Sequence, residues 1–175
     1  MPDPSVEILR FETYLQMIKN SVGTEKFKNF YILDKKTGKP KDICKNGENS
    51  CAFFVSSILT LAGYDEHPHL VVDTVMKKLK QNGWVTVSGG DLVEGDVIFW
   101  EEADQGDSDL HKHVGFYVGS EKAVSTSWKK RKVITHHFTF GKAKGSQPKR
   151  KIELILRIPE ALKERRITQS QMRVS

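Results

Sequence analysis

The stretch HVGFYVGSEKAVSTSWKKRKVITHHF, residues 113–138, decides the second half of the fold. It contains three short segments rich in β-branched and aromatic residues, Val114–Val118, Lys122–Ser127 and Val133–Phe138. Short polar turns separate them, which is typical of consecutive antiparallel strands. Apolar segments on either side, Asp96–Trp100 and Ile152–Ile158, extend the pattern. The sequence therefore predicts an antiparallel, meandering β-sheet.

Side chains alternate between the two faces of a strand, so each predicted strand assigns its residues to a face. In the first strand Val114 belongs to the core, which turns His113 to the opposite face. In the second strand Val124 has core parity, so Ser125 and Ser127 turn to the His113 side. The pattern places a histidine and hydroxyl groups on one face of the sheet.

The residues before the sheet have helical periodicity. Apolar side chains recur at helical spacing in residues 5–22, 51–62 and 70–81, and polar residues 34–50 indicate a loop. Helices followed by strands predict an α+β fold. We expect a single domain over residues 1–158, with its core at about 45–158 and its N-terminal helix at 5–22. Residues 159–175 form a polar, basic tail.

Composition limits the class of protein. The chain has 175 residues, of which 38% are hydrophobic and 29% charged, and this is typical of a globular domain. Two cysteines, Cys44 and Cys51, are too few for a disulfide scaffold. The first twenty residues contain no apolar core of a signal peptide. We expect a protein that is cytoplasmic as synthesised, with no membrane contact.

The formal net charge of +6 is distributed unevenly. Residues 128–151 contain nine Lys or Arg and no acid, whereas residues 91–109 contain eight acids and no base. An anionic polymer is a candidate partner for the basic segment at 129–151. Two solvated loops are an equal alternative, and the acidic run at 101–109 is interpreted as a mobile loop. No RNA-binding motif is present, and we do not expect a nucleic-acid partner.

Cys51 lies in the first turn of a predicted helix. Free backbone N–H groups and the helix dipole favour a thiolate there, so Cys51 is a candidate nucleophile. The common alternative for a single cysteine is a small buried apolar residue. His113, at the start of a strand and followed by Gly115, is a candidate partner because Cys–His catalysis needs contact in space only.

Three blocks of the sequence resemble the signature blocks of NlpC-type cysteine peptidases, a papain-like branch that includes the CHAP amidases. The blocks are NSCAFFV (49–55), LVEGDVIFW (92–100) and HVGFYVG (113–119). The resemblance implies a papain-like core with the nucleophile at a helix start, packed on the antiparallel sheet. It also implies that Cys51 attacks the amide carbonyl and that His113 holds the thiol proton.

The resemblance gives weaker indications for the remaining site residues. Similar proteins carry His, Asn or Gln as the third catalytic residue, and the register places Ser125 there. Ser127, His136 and His137 remain alternatives. Tyr31 is the candidate for the tyrosine that covers the oxyanion hole in the family.

The leading hypothesis is a cysteine peptidase or amidase that hydrolyses peptide or isopeptide bonds, with bacterial cell-wall peptides (peptidoglycan muropeptides) as the candidate substrate. Such an enzyme would have to be released or injected to reach the wall. An acyltransferase with the same Cys–His pair and a non-catalytic binding module with a basic patch are alternatives. No cofactor is expected, and His67 and His69 are interpreted as part of an exposed loop rather than as metal ligands.

Overall fold

The protein has an α+β fold, as the sequence predicts. The computed structural model describes residues 7–88, 90–104, 109–143 and 147–163. Within these residues lie four helices: α1 (Arg10–Asn20), α2 (Cys51–Leu61), α3 (Val72–Gln81) and the single-turn α4 (Glu160–Lys163). None of the helices in this part of the chain has the length and apolar character needed to cross a bilayer.

The strands form two antiparallel sheets. They are β1 (Tyr31–Asp34), β2 (Lys39–Asp42), β3 (Val85–Thr86), β4 (Val97–Asp104), β5 (Leu110–Tyr117), β6 (Lys122–Ser127), β7 (Lys132–His137) and β8 (Ile152–Arg157). β1 and β2 form a separate hairpin, and the main sheet has the order β3-β8-β4-β5-β6-β7. β4 to β7 form the predicted meander, but β8 returns to lie between β3 and β4.

The main sheet buries a different apolar cluster on each face. The helices cover one face, where Phe54 of α2 meets Phe116 of β5 with ring centroids 5.6 Å apart. On the other face Ile98 and Trp100 are fully buried and pack with Phe138 and Phe140, from the segment after β7. The two faces therefore provide separate environments for side chains of opposite parity on β5 and β6.

Buried polar contacts connect α1 and β8 to the turn before β4. Tyr14 donates a hydrogen bond from its hydroxyl to Gly95 O over 2.9 Å. The carboxylate of Asp96, 1% exposed, receives two bonds from Arg157 at 2.8 and 2.7 Å. Gly95 has φ +92°, and a Cβ there would lie 3.1 Å from Leu15 and Tyr14, so this turn requires glycine. The Gly95-Asp96 turn therefore has a structural role.

Several predicted boundaries need correction. The N-terminal helix runs from Arg10 to Asn20 rather than over 5–22, and Ile8 is 74% exposed outside it. The predicted loop at 34–50 contains β2, which pairs with β1 although its Lys-Pro-Lys sequence does not indicate a strand. The prediction of a mobile loop is wrong for residues 101–104 of the acidic run, because they continue β4 past a bulge. Residues 105–108 of that run lie outside the described residues.

We predict that Asp96→Ala lowers the free energy of unfolding by about 3 kcal/mol, because it leaves the Arg157 charge without its buried partner. Urea denaturation measures the change. Lys19→Ala is the matched control, since it removes an ion pair with Glu94 at 2.7 Å in which each side chain is 42% exposed. That exposed pair is expected to contribute less than about 1 kcal/mol. Equal losses in the two variants would contradict the structural role of Asp96.

Candidate active site

Cys51 is the first residue of α2, and the helix leaves backbone donors free around it. The first helical bond runs from Phe54 N to Ser50 O over 2.9 Å, so the N–H groups of Cys51, Ala52 and Phe53 have no acceptor within the helix. Ser50 occupies the N-cap position, but its hydroxyl donates to Gly47 O and forms no cap. The start of α2 therefore offers N–H groups next to the thiol.

The thiol lies against the edge of β5, where it contacts the backbone of the residues just before and just after His113. Cys51 Sγ is 4.0 Å from Lys112 O, and the amide of Val114 also interacts with the sulfur. Tyr117 donates its N–H to Asp96 O and accepts a bond from Gly95 N–H, so its backbone groups point away from β6. The backbone groups of Lys112 and Val114, which have the other parity, therefore point toward the β6 edge. The β5–β6 ladder joins only Phe116 to Val124 and Tyr117 to Ala123. Cys51 thus occupies the place where β6 separates from β5.

A groove of about 440 Å³ opens beside the thiol. Its walls come from the loop before α2, from the segment at Leu70–Asp73 and from the start of β5. Glu48, Asp73, Glu102 and Lys112 line it. Glu48 and Asp73 are paired with Arg131 and Lys112, at 2.8 and 2.7 Å. The groove is therefore lined by acidic and basic side chains, and Cys51, which is partly exposed, forms part of its wall.

His113 is 6% exposed and points away from the helices. Its ring lies 5.4 Å from Trp100, its cross-strand partner on β4, and 5.8 Å from Phe140. Its Nε2 is 2.9 Å from Ser125 Oγ. Within the described part of the chain, no hydrogen bond joins Cys51 to His113, and Nδ1 of His113 has no hydrogen-bond partner. The imidazole and the thiol therefore approach the edge of β5 from opposite faces of the sheet.

Ser125 meets His113 because Gly115 has no side chain. A Cβ on Gly115 would lie 2.7 Å from Val124 O and 2.8 Å from Ser125 Cβ. The space that Gly115 provides is filled by β6 and Trp100 and forms no groove. The face predicted for Ser125 agrees with this contact, while its catalytic role stays a prediction.

The alternatives for the third residue lie in different places. Among the described residues, His136 reaches the site through Ser125, whose Oγ is 2.8 Å from His136 Nε2. Ser127 accepts the Lys130 N–H in the turn after β6, and His137 Nδ1 contacts Thr139. These two side chains therefore serve local turns.

Tyr31 and the His67–His69 loop lie outside the site. Tyr31 is 64% exposed on β1 and is absent from the described residues that line the groove. The interpretation of His69 as part of an exposed loop is wrong. The residue is only 6% exposed, and its Nε2 lies 3.0 Å from Asp65 Oδ2. The described residues contain no cluster of three or more His, Cys, Asp or Glu suited to a metal ion.

Burial determines the protonation of both reactive groups. Desolvation raises the pKa of the Cys51 thiol, and the opposing effects of the Val114 and Ala52 amides and of the Arg150 charge do not cancel it. Desolvation lowers the pKa of His113 well below 6.5, and the charges of Arg150 and His136 lower it further. The expected lowering of the thiol pKa is therefore wrong. At neutral pH the free protein contains a neutral thiol and a neutral imidazole.

Arg150 is the site residue that sequence reasoning missed. Its Nε donates to Glu101 O over 2.9 Å, and its guanidinium lies 5.7 Å from the Phe140 ring centroid. Its positive charge lowers the pKa of both Cys51 and His113. In the sequence it is one of nine cations in the basic segment, and no spacing distinguishes it from the lysines.

No protein-family model matches the chain, and no curated protein matches it either. Function is therefore inferred from the residues and from their geometry.

We predict that limiting iodoacetamide alkylates Cys51 faster than Cys44 at neutral pH. Both cysteines line the groove, but Cys51 is partly exposed, whereas Cys44 is 1% exposed and burial raises the pKa of its thiol to about 11. Because the pKa of Cys51 is also raised, its rate should still be increasing above neutral pH. Peptide mass mapping identifies the labelled residue. Preferential labelling of Cys44 would contradict the accessibility of Cys51.

We predict that Arg150→Gln slows alkylation of Cys51 by roughly threefold to tenfold at neutral pH, because the thiolate loses a nearby positive charge. The pKa of His113 should rise in the same variant, since its imidazolium loses a repulsive neighbour. Alkylation rates against pH and NMR titration of the imidazole measure the two effects. Lys149→Gln, which removes an exposed cation one residue away, is the control and should change neither.

Proposed function

We propose that the chain is a papain-like thiol hydrolase, a cysteine peptidase or amidase that cleaves peptide or isopeptide bonds. Cys51 is the nucleophile, His113 the general base and acid, and Ser125 orients the imidazole. The observation that carries the proposal is the position of Cys51 Sγ. It lies at a helix start, open to a groove, beside the backbone of the residues on both sides of His113.

The hydrogen bonds of His113 support its role as a base. Nε2 is engaged with Ser125, which leaves Nδ1 available. The proposal requires the Cys51 thiol and His113 Nδ1 to approach across the edge of β5 when a substrate binds, since no hydrogen bond joins them in the described residues of the free protein. Because both groups are neutral at rest, proton transfer accompanies attack on the carbonyl carbon, and no ion pair forms beforehand. The proton on Nδ1 then passes to the leaving amine, and water hydrolyses the thioester.

Electrostatic support for the reaction comes from two sources. The N–H groups of Cys51 and Ala52, which have no acceptor within α2 and lie next to the thiol, are the candidate donors to the tetrahedral oxyanion. Arg150 favours negative charge on the sulfur, and it adds to desolvation, the main cause, in keeping the resting imidazole unprotonated. A lowered His113 pKa also means that the base form persists in acid, so the acid limb of activity should lie below pH 6.5.

The surroundings of the groove suit a peptide carried on a charged polymer. The groove has carboxylates and a lysine along its walls, which fits a peptide with charged side chains. The β6–β7 turn, with Lys129 and Lys130, adjoins the groove through the ion pair of Arg131 and Glu48. We propose that cell-wall peptides occupy the groove and that the anionic polymer lies along this turn.

We predict that p-nitrophenyl acetate acylates Cys51, with one equivalent of p-nitrophenol released in a burst and the acetyl group found on Cys51 by mass spectrometry. Cys51→Ala should abolish the burst, and His113→Ala should slow it by about a hundredfold or more through loss of the base. Their losses should not add in the double variant. Hydrolysis of peptidoglycan fragments by the same variants then tests the substrate class.

Cys44→Ala is the matched control, because it removes a thiol from the same groove and should keep the burst. A burst that survives in Cys51→Ala, or a full rate in His113→Ala, would overturn the proposed pair.

A further inference from the structure

Ser125 connects two histidines in the interior of the protein. Its Oγ is 2.9 Å from His113 Nε2 and 2.8 Å from His136 Nε2, and Ser125 is fully buried. The second ring is itself held, because His136 Nδ1 is 2.8 Å from the backbone oxygen of His137. Four groups therefore form one chain of hydrogen bonds that ends on a carbonyl.

The carbonyl end determines the direction of every bond in this chain. A carbonyl oxygen can only accept, so His136 Nδ1 carries a proton and donates it to His137 O. In a neutral His136, Nε2 is then an acceptor, and the Ser125 hydroxyl must donate to it. The Ser125 oxygen in turn accepts a bond from His113 Nε2–H. The proton of a neutral His113 is thereby fixed on Nε2, and Nδ1 keeps its lone pair.

The packing around His136 keeps its ring oriented and neutral. It is stacked on Phe140, with centroids 4.1 Å apart and an interplanar angle of 21°, and it lies 5.7 Å from Trp100. The charged or titratable groups that act on it are His113, His137 and Arg150. Desolvation lowers the pKa of His136, and the charges of His137 and Arg150 lower it further. The hydrogen bond to His137 O raises this pKa but does not cancel those effects.

We propose that His136 is a positioning residue which, through Ser125, holds the proton of His113 on Nε2 and presents Nδ1 as the base. The inference rests on the proposed function for its kinetic consequence, but the location of the proton is a property of the free protein. The chain remains intact when His113 accepts the thiol proton, because Nε2–H still donates to Ser125. Protonation of His136 reverses the chain, since its Nε2–H then donates to Ser125.

The decisive experiment is long-range ¹⁵N–¹H NMR of the imidazole rings in the free protein, which distinguishes Nε2–H from Nδ1–H tautomers without any substrate. We expect His113 as Nε2–H and His136 as Nδ1–H. In His136→Leu, which has no acceptor for Ser125, His113 should populate both tautomers. His136→Gln places an amide oxygen near the position of Nε2 and should restore the single tautomer.

Acylation by p-nitrophenyl acetate provides the kinetic readout. His136→Leu should lower the acylation rate by about tenfold to a hundredfold with little change in the concentration for half-saturation, and His136→Gln should recover most of it. In a Ser125→Ala background, His136→Leu should add nothing further, because the connection is already broken. His137→Gln is the matched control, since its ring contacts Thr139 and not Ser125.

Two results would overturn the inference: a wild-type His113 protonated on Nδ1, or a His113 tautomer unchanged in both His136→Leu and Ser125→Ala. If His136→Leu fails to fold, Ser125→Ala decides, because it breaks the same connection and keeps the stack on Phe140. The expected tautomers in a protein without a Cys51 burst would refute the proposed hydrolase and leave the proton location standing. A Cys51 burst in a protein whose His113 tautomer is not the expected one would refute only the role of His136.

Discussion

Burial of α2 against the sheet is the constraint on which the rest of the structure depends. Seven of its eleven residues are buried, and it meets β5 and β6 through aromatic and branched side chains such as Phe54 and Val55. A helix that is apolar around most of its surface has only one stable position, in the interior. That position brings its first residue to the backbone of β5. Cys51 is therefore located by packing, with no strong contact of its own.

The same burial sets the chemical character of the site. Removing water from the thiol and from the imidazole favours the uncharged form of each, and Arg150 partly opposes this for Cys51 while reinforcing it for His113. The protonation of the two groups consequently depends on the balance between desolvation and the charge of the partly buried Arg150. The two groups lie on opposite faces of the sheet, and both adjoin the edge of β5 where the ladder to β6 ends.

Periodic features could be predicted from the sequence and single tertiary contacts could not. The helix at Cys51 and the shared face of His113 and Ser125 follow from repeats of 3.6 and 2 residues. The β1–β2 hairpin escaped detection because both strands are short and exposed and because β2 has the polar sequence Lys-Pro-Lys-Asp. The thiol pKa was predicted in the wrong direction, since desolvation arises from segments distant in sequence. Arg150 resembles its lysine neighbours until the fold brings its charge close enough to act on the thiol.

The position of β8 has a consequence for biosynthesis. This strand lies in the interior of the sheet, between β3 and β4, although it is the last of the described strands to leave the ribosome. Until Ile152–Arg157 has emerged, β4 has an unpaired edge and Asp96 lacks the guanidinium that neutralises it. Arg150 arrives with the same segment. A nascent chain that already contains Cys51 and His113 therefore lacks the completed environment of the thiol until Arg150 and β8 have been synthesised and packed.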